Sequence, residues 1–229
     1  MQRVAPVLAA CVLMASLNPK AAERASQTLV EWNRYVSMHG GRPERCPRDG
    51  TNISGSMIDV TGGAIHHWCG STLVHGRSVD AVVLALMYPG TPPPQSDILE
   101  SRVLSRAGDA LHVYMKVARR AIVTVTYETE HDVTFFRLAP GVAASRSLST
   151  RITDIGDGDR GYLWALNSYW RYTQAGHDVR IDLESLSLSR DMPKLIRPVA
   201  EPIVNRIARE SVARTLETLR VFLENAAQR

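Results

Sequence analysis

Residues 161–190 read GYLWALNSYWRYTQAGHDVRIDLESLSLSR, two stretches of alternating side chains around a short polar turn. Tyr162 to Tyr172 and Val179 to Ser189 each alternate with period two, the pattern of a half-buried strand, and Gln174-Ala175-Gly176-His177 between them predicts a hairpin. With Ala175-Gly176 as the two-residue turn, Gln174 opposes His177. Trp170 then meets Ile181, Ser168 meets Leu183, Leu166 meets Ser185 and Trp164 meets Ser187. The other face pairs Arg171 with Arg180, Tyr169 with Asp182 and Asn167 with Glu184. Side chains alternate across a strand, so the first face is apolar with small hydroxyls and is expected inside, while the second is charged and is expected in water. Ser168, Ser185 and Ser187 among Trp164, Trp170, Ile181 and Leu183 offer both room and hydrogen bonds, as a ligand pocket requires. An ordinary core, with those serines bonded to backbone, fits the same pattern.

A long amphipathic helix follows. Asp191 can cap its first turn with Pro193 inside, while Pro198 and Pro202 predict breaks or bends, so that the continuous helix begins near Pro202. Val204, Ile207, Ala208, Ser211, Thr215, Leu219 and Phe222 form one stripe at helical spacing. Arg206, Glu210 and Arg214, four apart, fit the solvent side. Ser211 and Thr215 interrupt the stripe where a pocket would meet the helix.

Upstream, Ala25 to Met38 reads as a helix ended by Gly40-Gly41, and Arg42 to Asn52 as a loop. Ile53 to Val74 reads as one or two strands broken at Thr61-Gly62-Gly63. Ser78 is placed as the N-cap of a helix over Val79 to Met87, which the prolines after Tyr88 stop. Strands are then expected at Ile98–Leu104, Leu111–Val117, Ile122–Leu138 and Ser147–Ile155, with a turn at Gly156-Asp157-Gly158-Asp159. Successive strands without intervening helices predict an antiparallel sheet. The fold class is therefore α+β: a curved antiparallel sheet wrapped around a long C-terminal helix, with a cavity between them.

At 229 residues the chain is long enough for a substantial core, and its 27 basic and 23 acidic residues leave a formal charge of only +4. The basic residues are scattered among acids, which argues against nucleic acid as a partner. Met1-Gln2-Arg3 followed by apolar Val4 to Leu17 reads as an export signal, too short to span a membrane. Leu8-Ala9-Ala10-Cys11 also resembles a lipoprotein box, so a merely apolar N-terminus and lipid anchoring through Cys11 are the alternatives to simple export to the periplasm. Cys46 and Cys69 remain either as a disulfide, which an oxidising compartment would preserve, or as two free thiols. Domain organisation is read as a signal over 1–22, an N-terminal helix and loop over 23–61, and a sheet-and-helix domain over 62–229.

The order strand, helix, run of strands, long C-terminal helix resembles the START/Bet v 1-like superfamily, also called SRPBCC, over roughly Gly62 to Ala226. Three stretches are similar to a group of exported bacterial START-like proteins: GAIHHW at 63–68, GYLWALNSYWR at 161–171 and SLSRDMP at 187–193. The resemblance implies binding of lipids, sterols, polyketides or other apolar molecules between sheet and helix, with a minority of relatives being cyclases or dehydratases. Transient membrane contact belongs to that expectation. The expected ligand-binding set has Trp164, Trp170, Leu183, Tyr127, Met115 and Ile207 as apolar walls, with Ser168, Ser185, Ser187, His67, Ser211 and Thr215 orienting a polar end.

No catalytic motif stands out, and no cofactor or metal is expected. Neighbouring strand residues His66 and His67 point to opposite faces and cannot chelate one ion together; His67 is taken as the one facing the cavity, and with Tyr127 it would be the acid–base group of an enzyme. Asp154, Asp157 and Asp159 do not fit a calcium loop. Binding or carriage of a hydrophobic molecule is the leading expectation; an enzyme of the cyclase/dehydratase kind, or a filled structural core, are the alternatives.

Overall fold

A computed structural model describes residues 19–46, 53–120, 124–155, 162–190 and 197–225. The apolar leader, the Gly156–Asp159 turn and the Asp191 cap lie outside these residues. In chain order the elements are helix α1 (Pro19–His39), a single helical turn (Pro43–Arg45), strands β1 (Ile53–Val60) and β2 (Gly63–Val74), helix α2 (Val79–Met87), strands β3 (Ile98–Ala107), β4 (Ala110–Arg120), β5 (Thr124–Ala139), β6 (Val142–Asp154), β7 (Leu163–Ala175) and β8 (Asp178–Arg190), and helix α3 (Arg197–Asn225). The eight strands form one sheet in the order β1-β2-β8-β7-β6-β5-β4-β3. Every neighbouring pair is antiparallel. β1 is the edge strand of this sheet and so shares the body of the later strands.

The β7–β8 hairpin turns one residue later than the sequence reading has it. Ala175 pairs with Asp178, leaving Gly176-His177 as the loop. Gly176 has φ +65, and a tight hairpin demands positive φ at its first central position, which glycine adopts without the penalty Ala175 would incur. The partners shift accordingly: Trp170 meets Leu183, Ser168 meets Ser185 and Leu166 meets Ser187. The shift slides both strands by one residue each, so the two faces keep their membership.

Two further boundaries move. β6 begins at Val142, not Ser147, because Gly141 at φ +68 closes a tight β5–β6 turn after Pro140. α3 runs unbroken from Arg197 through Pro202. So near the helix start, a proline removes a single main-chain bond, that to the Pro198 carbonyl. The α2 cap is as expected, with the Ala81 N–H donating to Ser78 Oγ at 3.2 Å.

Both faces of the sheet are covered. At the end carrying the Gly176 turn, here the lower end, Ile181, Tyr172, Val179 and Val74 pack on the concave side with α2 and with Leu219 and Leu223 of α3. On the convex side Trp32, Tyr35 and Val36 of α1 cover Ile65, Leu186, Leu188 and Tyr169. The polar convex residues Asn167, Asp182 and Glu184 are therefore buried, where the sequence reading expects a wetted face. The amphipathic α1 supplies the second layer that alternation within the hairpin alone cannot reveal. Cys46 and Cys69 are joined in a disulfide that fastens the turn after α1 to β2.

Candidate functional site

Pairing across the sheet lines up the concave side chains in rows. Trp68 stands opposite Ser185, Ser185 opposite Ser168, Ser168 opposite Ser147 and Ser147 opposite Val133. One step toward the upper end, His66 stands opposite Ser187 and Ser187 opposite Leu166, while Ser149 stands opposite His131. The second row is joined through the Leu166 N–H, which donates to Ser149 Oγ at 2.9 Å. Main-chain pairing of β6 with β7 runs from Val142 to Leu148 and stops there, so the two strands part above this point. The result is a band of hydroxyls with an imidazole at each end and the apolar core directly below.

Beneath the band the concave side is closed; at its level the facing side chains of sheet and α3 are only partly buried, an open trough in place of the enclosed cavity expected from the sequence. Val212, Leu216, Leu219 and Leu223 of α3 are buried, and Leu183 and Trp68 pack with Val212 and Leu216. Ser147, Ser168, Trp170, Ser185 and Ser187 are only half-buried, as are Ile207, Ala208, Ser211 and Thr215 across from them. α3 approaches the sheet most closely along β2 and β1. Gly55 on β1 makes part of this possible: a Cβ there would stand 2.3 Å from the Trp68 ring. A separate apolar recess of about 360 Å³ lies at the rim, lined by the proline segment Pro89 to Pro94, by Ile98 to Ser101 and by Phe222.

The band is polar without being ionic. The concave positions of β2, β7 and β8, of β5 from Tyr127 to Phe135 and of β6 from Ala143 to Ser149 carry no Asp, Glu, Lys or Arg. His66 Nε2 and Ser189 Oγ are 2.8 Å apart, and His131 Nδ1 and Ser147 Oγ 3.2 Å. The Trp170 indole N–H donates to Ser168 Oγ at 3.3 Å, and Ser145 Oγ and the Tyr172 hydroxyl are 2.9 Å apart. Burial lowers the His66 pKa and pushes that of His131 down to about 4, so both rings are neutral near pH 7. Burial likewise drives the Tyr172 phenol well above its ordinary range. Three buried nitrogens on this face, His66 Nδ1, Trp68 Nε1 and His131 Nε2, have no hydrogen-bond partner among the described residues. Buried polar groups are normally paired, and three such nitrogens fall within one band.

No family model matches the sequence, and no curated protein matches it. Among solved structures, a STAR-related lipid transfer protein (fragment 25–204) from Xanthomonas axonopodis superposes with a TM-score of 0.50 at 16% identity, over 74% of this chain and 98% of that one. The chain has the START/Bet v 1-like helix-grip fold. The Zhui aromatase/cyclase from Streptomyces sp. R1128 is similar at 18% identity over 71% of this chain and 96% of that one, with a TM-score of 0.45. Human StAR-related lipid transfer protein 5 is similar at 10% identity over 88% and 98%, also at 0.45. At these identities the likeness is one of fold.

Within the helix-grip fold, most of the expected ligand-binding residues gather on the inner side. Ser168, Ser185 and Ser187 lie in the band and Trp170 and Leu183 immediately below it, with Ile207, Ser211 and Thr215 half-buried on α3. The fully buried line of that helix is Val212, Leu216, Leu219 and Leu223, beside the stripe read from the sequence. Met115 packs at the margin of the lower core, and Tyr127, 5% exposed, faces inward further up β5 opposite Asp154. Trp164 falls in a β-bulge between Leu163 and Ala165 and is 36% exposed, so plain alternation no longer fixes where its ring points.

His67 is on the other side. It pairs with Leu186 on the convex face, and His66 is the histidine that faces inward. His67 Nε2–H donates to Glu184 Oε1 at 2.9 Å, and Nδ1 accepts from the Tyr35 hydroxyl of α1, also at 2.9 Å. Glu184 Oε2 accepts the Arg42 N–H at 2.9 Å. Burial, then the Glu184 charge, raises the Tyr35 pKa. This chain of bonds fastens α1 and the turn after it to the sheet.

The band members absent from the sequence reading are His131, Ser145, Ser147, Ser149, Trp68 and His66. Their signal is present in the chain: Ser145-Arg146-Ser147-Leu148-Ser149 and Ser185-Leu186-Ser187-Leu188-Ser189 are two serine-alternating runs on strands that flank β7.

Proposed function

We propose that this protein binds and carries a hydrophobic or lipid-like small molecule in the trough between the sheet and α3. The observation that carries the reading is the half-open inner face on which three buried nitrogens stand without partners directly above an apolar core. A molecule with an apolar body and a polar end matches both parts. Lipid transfer in the name of the Xanthomonas axonopodis protein, which shares the fold, supports the same class of ligand. We take the carrier to be exported to the periplasm and to touch a membrane transiently when it loads; the Cys46–Cys69 disulfide supports an oxidising compartment.

The cyclase/dehydratase alternative is the weaker one. The histidines with carboxylate partners lie off the inner face, His67 beneath α1, His112 on the convex side of β4 and His75 in the turn after β2, while the inward-facing His66 and His131 are bonded to serines. Native mass spectrometry of the protein taken from its exported compartment, followed by lipid extraction, tests carriage. A stoichiometric apolar adduct is expected. A protein that arrives empty and then fails to take up any of a broad panel of apolar compounds overturns the reading.

A further inference from the structure

The serines of the band fill corresponding positions on three adjacent strands, Ser185, Ser168 and Ser147, with Ser187 and Ser149 one row above. Strands lie about 4.8 Å apart, so the hydroxyls span roughly 10 Å, and the two imidazoles stand about 19 Å apart at the ends of their row. Apart from the Trp68 indole, which only donates, every polar side chain in the band can adapt. A hydroxyl donates or accepts, and each neutral imidazole can turn either a donor or an acceptor toward the trough, depending on the tautomer its serine partner selects. Such a surface matches hydroxyl and carbonyl oxygens spread over several positions.

What the band lacks is any means of holding a charge. Arg214 of α3 is engaged by Asp97 at 3.6 Å, and Arg137, at the lower rim, is paired with Asp80. Asp154 faces the same side opposite Tyr127, and its two carboxylate oxygens are buried without a hydrogen-bond partner among the described residues. Among the described residues, a second anion brought to this face would meet no unpaired cation on the inward side of the band strands and one carboxylate already there. Burying a charge without a partner is among the most costly events in a protein interior.

Resting on the carrier reading above, we infer that the trough selects an uncharged amphiphile bearing several hydroxyl or carbonyl oxygens and rejects anionic or zwitterionic lipids of the same chain length. A titration with three soluble lipids that differ only in the head, followed by tryptophan fluorescence, tests this. The probes are dioctanoylglycerol, dioctanoyl phosphatidic acid and dioctanoyl phosphatidylcholine. The glycerol lipid is expected to bind at least tenfold more tightly than either phosphate-bearing lipid. Equal or tighter binding of phosphatidic acid or phosphatidylcholine overturns the selectivity while leaving carriage intact; failure of all three to bind overturns both. Ser185→Lys, which places a cation in the band, is expected to bring phosphatidic acid within threefold of dioctanoylglycerol, and an unchanged ratio in a folded variant counts against the inference.

Discussion

His131 is 2% exposed, with a serine on one ring nitrogen and no partner among the described residues on the other. Burial disfavours its charged form and holds its pKa at about 4, against an ordinary 6.5. The folded protein therefore binds this proton less readily than the unfolded chain does. The corresponding stability is fully present above pH 6.5 and is lost as the pH falls toward 4, by up to about 3 kcal/mol. Urea unfolding across that interval is expected to show the decline in the wild type and a shallower one in His131→Gln; identical slopes would remove His131 as the cause. The residue was accessible to sequence reading in principle, since Tyr127, Thr129, His131, Val133 and Phe135 alternate along β5. What hid it was weight: one histidine among small polar residues is ordinary, and its importance depends on Ser147 and Ser149 arriving beside it from another strand.

At the level of the element, α1 explains the main error in the sequence reading. The hairpin register set Asn167, Asp182 and Glu184 on one face correctly, and their charge suggested water. An amphipathic helix far upstream in the chain and the turn that follows it cover this face instead, and each acid found a partner: Arg180 Nε donates to Asp182 Oδ2 at 3.3 Å, and His67 and the Arg42 N–H serve Glu184. His67 is accordingly a fastening, not a ligand contact. His67→Ala leaves a buried carboxylate short of a donor and a tyrosine short of an acceptor, which is expected to cost about 2 kcal/mol. Affinity for the apolar cargo is expected to stay within twofold of wild type in the same fluorescence titration. A tenfold loss of affinity in a variant of unchanged stability would return His67 to the binding site.

For the whole molecule, the order of helices and strands was legible because each element carries its own period and its own stop signal, Ser78 before α2 and the prolines after it. The pairing of β2 with β8, and with it the trough, was not: the two strands lie more than a hundred residues apart in the chain, and nothing local says which edges meet. The disulfide belongs to this scale too, since it closes a loop between Cys46 and Cys69, 23 residues apart in sequence. Removing such a closure lowers stability by about 3 kcal/mol, chiefly by freeing the unfolded chain. Cys46→Ser with Cys69→Ser is expected to lower the unfolding free energy from urea titration by that amount, and wild type under reducing conditions should match it; a double variant as stable as the oxidised protein would show that the bridge contributes nothing.

The parting of β6 from β7 above Leu148 gives the sheet a seam. Below it the two strands are stitched by main-chain hydrogen bonds; above it, among the described residues, a serine hydroxyl holds the Leu166 N–H. Among the described residues, widening the sheet along this seam breaks no ladder bond between these two strands, so the wall has give where the band lies.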